Sequence, residues 1–182
     1  LTDWRSQQTI GAMTDDAKLN HAWVRMEVKG LLIDPASETP VLLLQSASES
    51  LLLPIWIGPV EANSIAMALE GAREPRPMTH DLMHGILQGL AVELQRVEIW
   101  SLQEGTFYAR LLLRHGSTTA EVDSRPSDAI AVAVRAEAPI FVARAVIQEA
   151  VQLDLATSAE EEERLREWLE RARPEDLGKY TM

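Results

Sequence analysis

Leu53-Pro-Ile-Trp-Ile-Gly-Pro-Val-Glu-Ala-Asn-Ser-Ile-Ala-Met-Ala-Leu-Glu-Gly-Ala-Arg-Glu-Pro-Arg-Pro-Met-Thr-His-Asp81 decides how this chain is read. An apolar strand over Leu51 to Ile57 runs into Gly58-Pro59, and a helix follows to about Gly71. Pro59 suits a first helical position, where its missing N–H costs nothing, and Gly71 suits a stop. Ala62, Ile65, Ala66 and Leu69 repeat at helical spacing as an apolar stripe, with Glu61 and Glu70 at its two ends. The proline-rich Arg73 to Pro77 cannot be helical, and Thr79-His-Asp81 opens a second helix. Polar residues therefore gather where two helices begin and end, and function is expected there.

Outward from this stretch the strands come in two groups. Ala22 to Leu32 alternates, with Val24, Met26, Val28 and Leu32 on one face and Arg25, Glu27 and Lys29 on the other. After the turn residues 34–40, Val41 to Gln45 makes a second strand and Leu51 to Ile57 a third, an antiparallel meander. The helix opened by Thr79 is expected to be capped by that hydroxyl and to turn Leu82, Ile86 and Leu87 inward. A second meander follows: Ala91 to Leu102 with a phase slip near Gln95, Phe107 to Arg114, and Thr118 to Val122. Asp123 to Asp128 opens a third helix, Ala129 to Ala136, apolar almost all round; a short strand, 139–143, and a helix, Arg144 to Leu153, close the domain. The fold class is α+β, with mixed, largely antiparallel sheets from two strand meanders and packed helices. Residues 1–20 read as a disordered segment, 21–153 as the domain, and 154–182 as an acidic helix and tail.

The chain has 182 residues, 46% of them apolar, enough for one domain with a core. With no cysteine, disulfides, thiolate catalysis and cysteine-bound zinc are excluded. No apolar run approaches the roughly 20 residues of a membrane span, and no apolar signal core opens the chain, so it reads as cytoplasmic. Net charge is −11; residues 153–182 hold nine acids and five Lys or Arg, which leaves −7 on the remainder. Such a body repels a phosphate backbone unless local arginines or divalent cations intervene.

Several groupings of polar residues bear on chemistry. His80 and His84 are four apart on one helix, a spacing two metal ligands can use, but no glutamate of the zinc-protease kind separates them and no third histidine follows nearby. Arg125-Pro-Ser-Asp128 sets a cation, a hydroxyl and a carboxylate at a helix start, which suits an anion such as phosphate; the plainer reading is two caps and an ion pair. Glu61, Glu70, His80, Asp81 and Asp128 are enough carboxylates and imidazole for phosphodiester hydrolysis, provided that they converge. Nucleophile-elbow, Walker and dinucleotide glycine patterns are absent. Trp56, Trp100, Phe107, Tyr108 and Phe141 lie within strands and are expected in the core.

Leu-Pro-Ile-Trp-Ile-Gly58 with Glu61-Ala, Ala-Leu-Glu-Gly71 and Pro-Arg-Pro-Met-Thr-His-Asp-Leu82 resemble the bifunctional nuclease family. Gly105-Thr-Phe-Tyr-Ala109, Ser124-Arg-Pro-Ser-Asp-Ala-Ile-Ala131, Ala138-Pro-Ile-Phe-Val142 and the terminal stretch from Trp168 extend the resemblance over about residues 22–178. It implies hydrolysis of RNA and DNA, with Mg²⁺ or Mn²⁺ as the expected cofactor and nucleic acid as the partner. Residues matching the family's polar motifs are the candidates: Glu61, Glu70, His80, Asp81 and Asp128 as catalytic, and Arg76, Arg125 and Ser127 on substrate. Glu61, Asp81 and Asp128 would hold the metal, with His80 activating water. The competing expectation is a non-catalytic, homo-oligomeric interaction or regulatory module whose Arg–carboxylate pairs hold the fold. A third is a small-anion binder at the Arg125 helix start.

Overall fold

The computed structural model describes residues 22–156 apart from 36, 47, 49, 50 and 73, with 151–156 as backbone alone. The expected disordered segment 1–20 and acidic helix from Ser158 lie outside these residues. Strands β1 (Trp23–Ile33), β2 (Pro40–Ser46) and β3 (Leu52–Trp56) form the first meander, and β4 (Glu93–Gln103), β5 (Thr106–His115) and β6 (Thr118–Ser124) the second. Between them lie helices α1 (Pro59–Leu69) and α2 (Thr79–Gly89); α3 (Pro126–Ala136), β7 (Ile140–Ala143) and α4 (Arg144–Ala156) follow. The boundary expected after residue 153 falls inside α4.

The two meanders are halves of a single seven-stranded sheet, in the order β3-β2-β1-β7-β4-β5-β6. The four residues of β7 join them, antiparallel to β1 and parallel to β4. Ile140 stands opposite both Met26 and Val97, and Val142 opposite both Val24 and Ile99, so one apolar face runs unbroken across the seam. A register shift at Val28/Gly30 places Leu31, rather than the expected Leu32, opposite Leu42 on that face. A bulge inverts the alternation beyond it. The slip expected near Gln95 is present between Leu94 and Arg96.

Helix α3 packs against α1 and α2 and on strands β4 and β5, which puts its start and end at the junction of all three helices. It is buried because its sequence is apolar almost all round: Ala129, Ile130, Ala131, Val132 and Ala133 are inaccessible or nearly so. Ile65 of α1 and Ile130 of α3 are fully enclosed in the same cluster as Val97 and Ile99. Truncating either to alanine should cost about 2–5 kcal/mol.

Two expectations for apolar side chains fail. Leu82 and Ile86 of α2 point outward, and only Leu87 packs on the core. The reason is that the buried side of α2 carries His80, which turns the helix about its axis. Trp56, Trp100 and Tyr108 are also substantially exposed, Trp100 and Tyr108 standing side by side on neighbouring strands.

Candidate functional site

The junction of α1, α2 and α3 holds a continuous chain of polar side chains. It begins on α1, whose first turn carries Glu61 just after the extended Gly58. Glu61 Oε1 accepts from Arg125 Nη2 at 2.6 Å. Arg125 precedes α3, and Pro126 takes the first helical position, so the helix begins three residues ahead of the expected Ala129. The same guanidinium grips Asp128 one turn on, Nε to Oδ2 at 2.7 Å and Nη2 to Oδ1 at 3.1 Å. Asp128 Oδ1 also faces His80 Nε2 at 3.1 Å, and His80 Nδ1 faces Ser64 Oγ at 2.8 Å. Arg135, in the last turn of α3, donates from Nη2 to Ser64 Oγ at 3.1 Å and to the Ser64 carbonyl at 3.2 Å. Its Nε donates to Asp81 Oδ1 at 2.6 Å, and Nη1 to the Ala131 carbonyl at 2.9 Å. Asp81 Oδ2 accepts the Met78 N–H at 2.9 Å, so Asp81 rather than Thr79 closes the start of α2.

Five of the eight candidate residues thus meet in one chain: Glu61, His80, Asp81, Arg125 and Asp128. Glu70 and Arg76 are exposed, the first at the end of α1 and the second in the linker, and neither joins it. Ser127 is buried in the first turn of α3 and stands outside it. Two members went unread in the sequence, Ser64 and Arg135. Each left a signal: a serine within an apolar helical stripe, and a lone cation at the end of the apolar run from Ala129 to Val134.

The hydrogen bonds orient His80. With Ser64 Oγ accepting from Arg135, its hydroxyl donates to Nδ1, and in the neutral imidazole Nε2–H then donates to Asp128. Both ring nitrogens are engaged and the ring is buried. Activation of water by His80 therefore requires it to release a partner. Ser64 is 2% exposed, which keeps this Ser–His–Asp sequence from acting as a nucleophilic triad in the present arrangement.

Charge follows the same layout. Asp81 is held below the usual carboxylate range, chiefly by its hydrogen bond from Arg135. Burial pushes Asp128 up, but the hydrogen bonds from Arg125 and His80 outweigh it, and its net displacement is downward. The bonds from Asp128 and Glu61 raise Arg125 further above its ordinary value, so it is cationic throughout. Among the described residues no group of three or more His, Asp or Glu side chains could hold a metal ion. The expected metal set is divided between two cations: Glu61 and Asp128 share Arg125, while Asp81 belongs to Arg135.

The bifunctional nuclease domain family matches residues 41–154, a stretch that contains the whole polar chain. An uncharacterized protein of Mycobacterium tuberculosis is 39% identical over 161 residues, 84% of this chain and 96% of that protein. Bifunctional nuclease 1 of Oryza sativa subsp. japonica is 29% identical over 118 residues, 63% of this chain and 36% of the plant protein. Bifunctional nuclease 1 of Arabidopsis thaliana is 28% identical over 116 residues, 62% and 36% respectively. This chain therefore spans just over a third of the length of those plant relatives.

Proposed function

The chain belongs to the bifunctional nuclease domain family, and on that premise we propose that it hydrolyses phosphodiester bonds of RNA and DNA at the Arg125 end of the polar chain. One observation carries the choice of place. Arg125 has a side chain 65% exposed, and its Nη1 makes no hydrogen bond among the described residues while Nε and Nη2 are pinned. A guanidinium held on one side and open on the other suits a phosphate oxygen, and its pre-orientation lowers the entropy lost on binding. It is also a fixed cation on an acidic body, the local exception that a polyanionic substrate needs.

In this reading Arg125 grips the phosphate and balances the charge that grows on it during attack by water. Glu61 and Asp128 hold the guanidinium, and Glu61 Oε2, with no donor among the described residues, takes the proton from water as its oxygen bonds to phosphorus; the ester P–O bond breaks and the departing oxygen takes a proton from solvent. His80 is a positioning residue: it fixes Asp128 and, through Ser64, ties it to Arg135. The residues that meet here do not fit a divalent cation, because Arg125 already fills the space between the two carboxylates. Mg²⁺ or Mn²⁺ would have to displace it.

A second reading, an interaction or regulatory module without catalysis, is favoured by the pairing of both arginines of the polar network, Arg125 and Arg135, with carboxylates. Cleavage of labelled single-stranded RNA and DNA separates the two. The assay compares wild type with folded Asp81→Ala and Asp128→Ala proteins in Mg²⁺, in Mn²⁺ and in EDTA. The nuclease reading expects cutting that Asp128→Ala abolishes. Equal activity in all three proteins, or none in any condition, contradicts it, and loss only in EDTA shows that a metal enters.

A further inference from the structure

Helix α2 presents two unlike sides. One carries His80 and Asp81 to the polar chain and Leu87 to the core. On the other, Leu82, Met83, Ile86 and Leu90, just past the helix end, are 56, 43, 51 and 62% exposed. At 100° per residue these four fall within about a quarter of the helix circumference, a single stripe. Four half-exposed aliphatic side chains present on the order of 350 Å² of apolar surface, the scale of a patch that marks an interaction site.

The glycines of this helix point the same way. Gly85 and Gly89 flank the stripe; a Cβ added at either would meet nothing within 4 Å, and neither has positive φ. The protomer therefore gives no packing or conformational reason for glycine, although each costs its helix about 1 kcal/mol relative to alanine. Glycines spaced by four leave a shallow groove that another backbone can enter.

We propose that this stripe is the contact between two copies of the chain, packed α2 against α2 about a twofold axis. Charge selects the partner. The chain carries −11, so two copies repel unless they meet where charge is absent. Helix α2 contains no Lys or Arg, and its single acid, Asp81, is neutralised by Arg135 on the far side. An isologous helix pair also matches what the stripe offers, since the leucines and isoleucine of one copy can sit over the glycines of the other. The two patches and their rims would bury roughly 1,000 Å² in total, at the low end of specific interfaces, so a reversible dimer follows rather than an obligate one. Arg125 reaches α2 through Asp128 and His80, which are not stripe residues, so the contact uses none of the side chains at the Arg125 end of the polar chain.

Sedimentation velocity of the full chain between about 1 and about 100 μM tests this, with wild type expected to pass from monomer to dimer across that range. Leu82→Glu with Ile86→Glu should leave a monomer of unchanged circular dichroism, with the dissociation constant raised at least about 100-fold. Gly85→Ala with Gly89→Ala gives a charge-free test whose two readouts move oppositely: the melting temperature of the dilute monomer rises while dimerisation weakens. A wild type that stays monomeric throughout, or a dimer that survives both pairs of substitutions, overturns the proposal. If the glutamate pair leaves the mass unchanged but speeds proteolysis within residues 157–182, the stripe is covered by the chain's own C-terminal segment, which also overturns it.

Discussion

Arg125, just before α3, and Arg135, in its last turn, stand at opposite ends of one polar chain and differ in almost every physical respect. Arg135 has a side chain 9% exposed and satisfies two main-chain carbonyls, a serine and a carboxylate; Arg125 has a side chain 65% exposed and pairs with carboxylates alone. A buried guanidinium with every nitrogen hydrogen-bonded fixes helices relative to one another, and removing it strands the groups it served. An exposed one in water contributes little to folding, since solvent screens the pairs it makes. The difference teaches where to look for function. The inner end resists change because the fold depends on it, and the outer end is free to bind.

Breaking the inner end should have the largest effect on stability. Arg135→Met is expected to cost about 2–4 kcal/mol, below the full cost of a broken buried pair because Asp81 keeps partial access to water. Chemical denaturation measures it directly. His80→Ala comes next, at about 1–3 kcal/mol, because Ser64 and Asp128 each lose a partner. Arg125→Ala should lie within about 1 kcal/mol of wild type. An Arg125→Ala protein as unstable as Arg135→Met would erase the contrast.

Acid sharpens the same comparison. Asp81 and Asp128 both titrate below their ordinary value in the folded protein. The stabilisation they give is complete above the unfolded carboxylate value of about 3.9, and it is lost as pH falls through the lower folded values. Unfolding free energy measured against pH should therefore be level on this account down to about pH 5 and fall below about pH 4. Asp81→Asn and Asp128→Asn should each make that fall shallower.

The smallest expected effect concerns Gly58. A Cβ there would collide with Glu61 Oε2, at the end of a flexible side chain. Gly58→Ala should cost less than about 1 kcal/mol, since the carboxylate can swing away. Swinging away takes it from Arg125, so cleavage should drop several-fold at nearly constant stability. Unchanged cleavage would remove Glu61 from the site.

Much of this layout was legible in the sequence, and the gaps have physical causes. Both meanders, the helix start at Pro59 and the slip near Gln95 follow from alternation and turn chemistry, which are local. Their union into one sheet was not legible, because β7 pairs only with strands distant in sequence, and four apolar residues carry no record of their neighbours. The meeting of Glu61, His80, Asp81, Arg125 and Asp128 was suggested by their place at helix ends. Ser64 and Arg135 were missed because a buried polar residue is recognised by its partners, and these lie on other helices. The outward turn of Leu82 and Ile86 has the same origin. Helical spacing gives an apolar stripe but not the direction it faces, and the buried His80 decides that here.

The separation of the two ends is tested most directly by cleavage of labelled single-stranded RNA by Arg125→Ala, beside wild type and with both melting temperatures recorded. The expected result is a loss of at least about 100-fold in rate with the melting temperature shifted by less than about 4 °C. Cleavage at the wild-type rate by a folded Arg125→Ala protein would contradict the assignment of the outer end as the site.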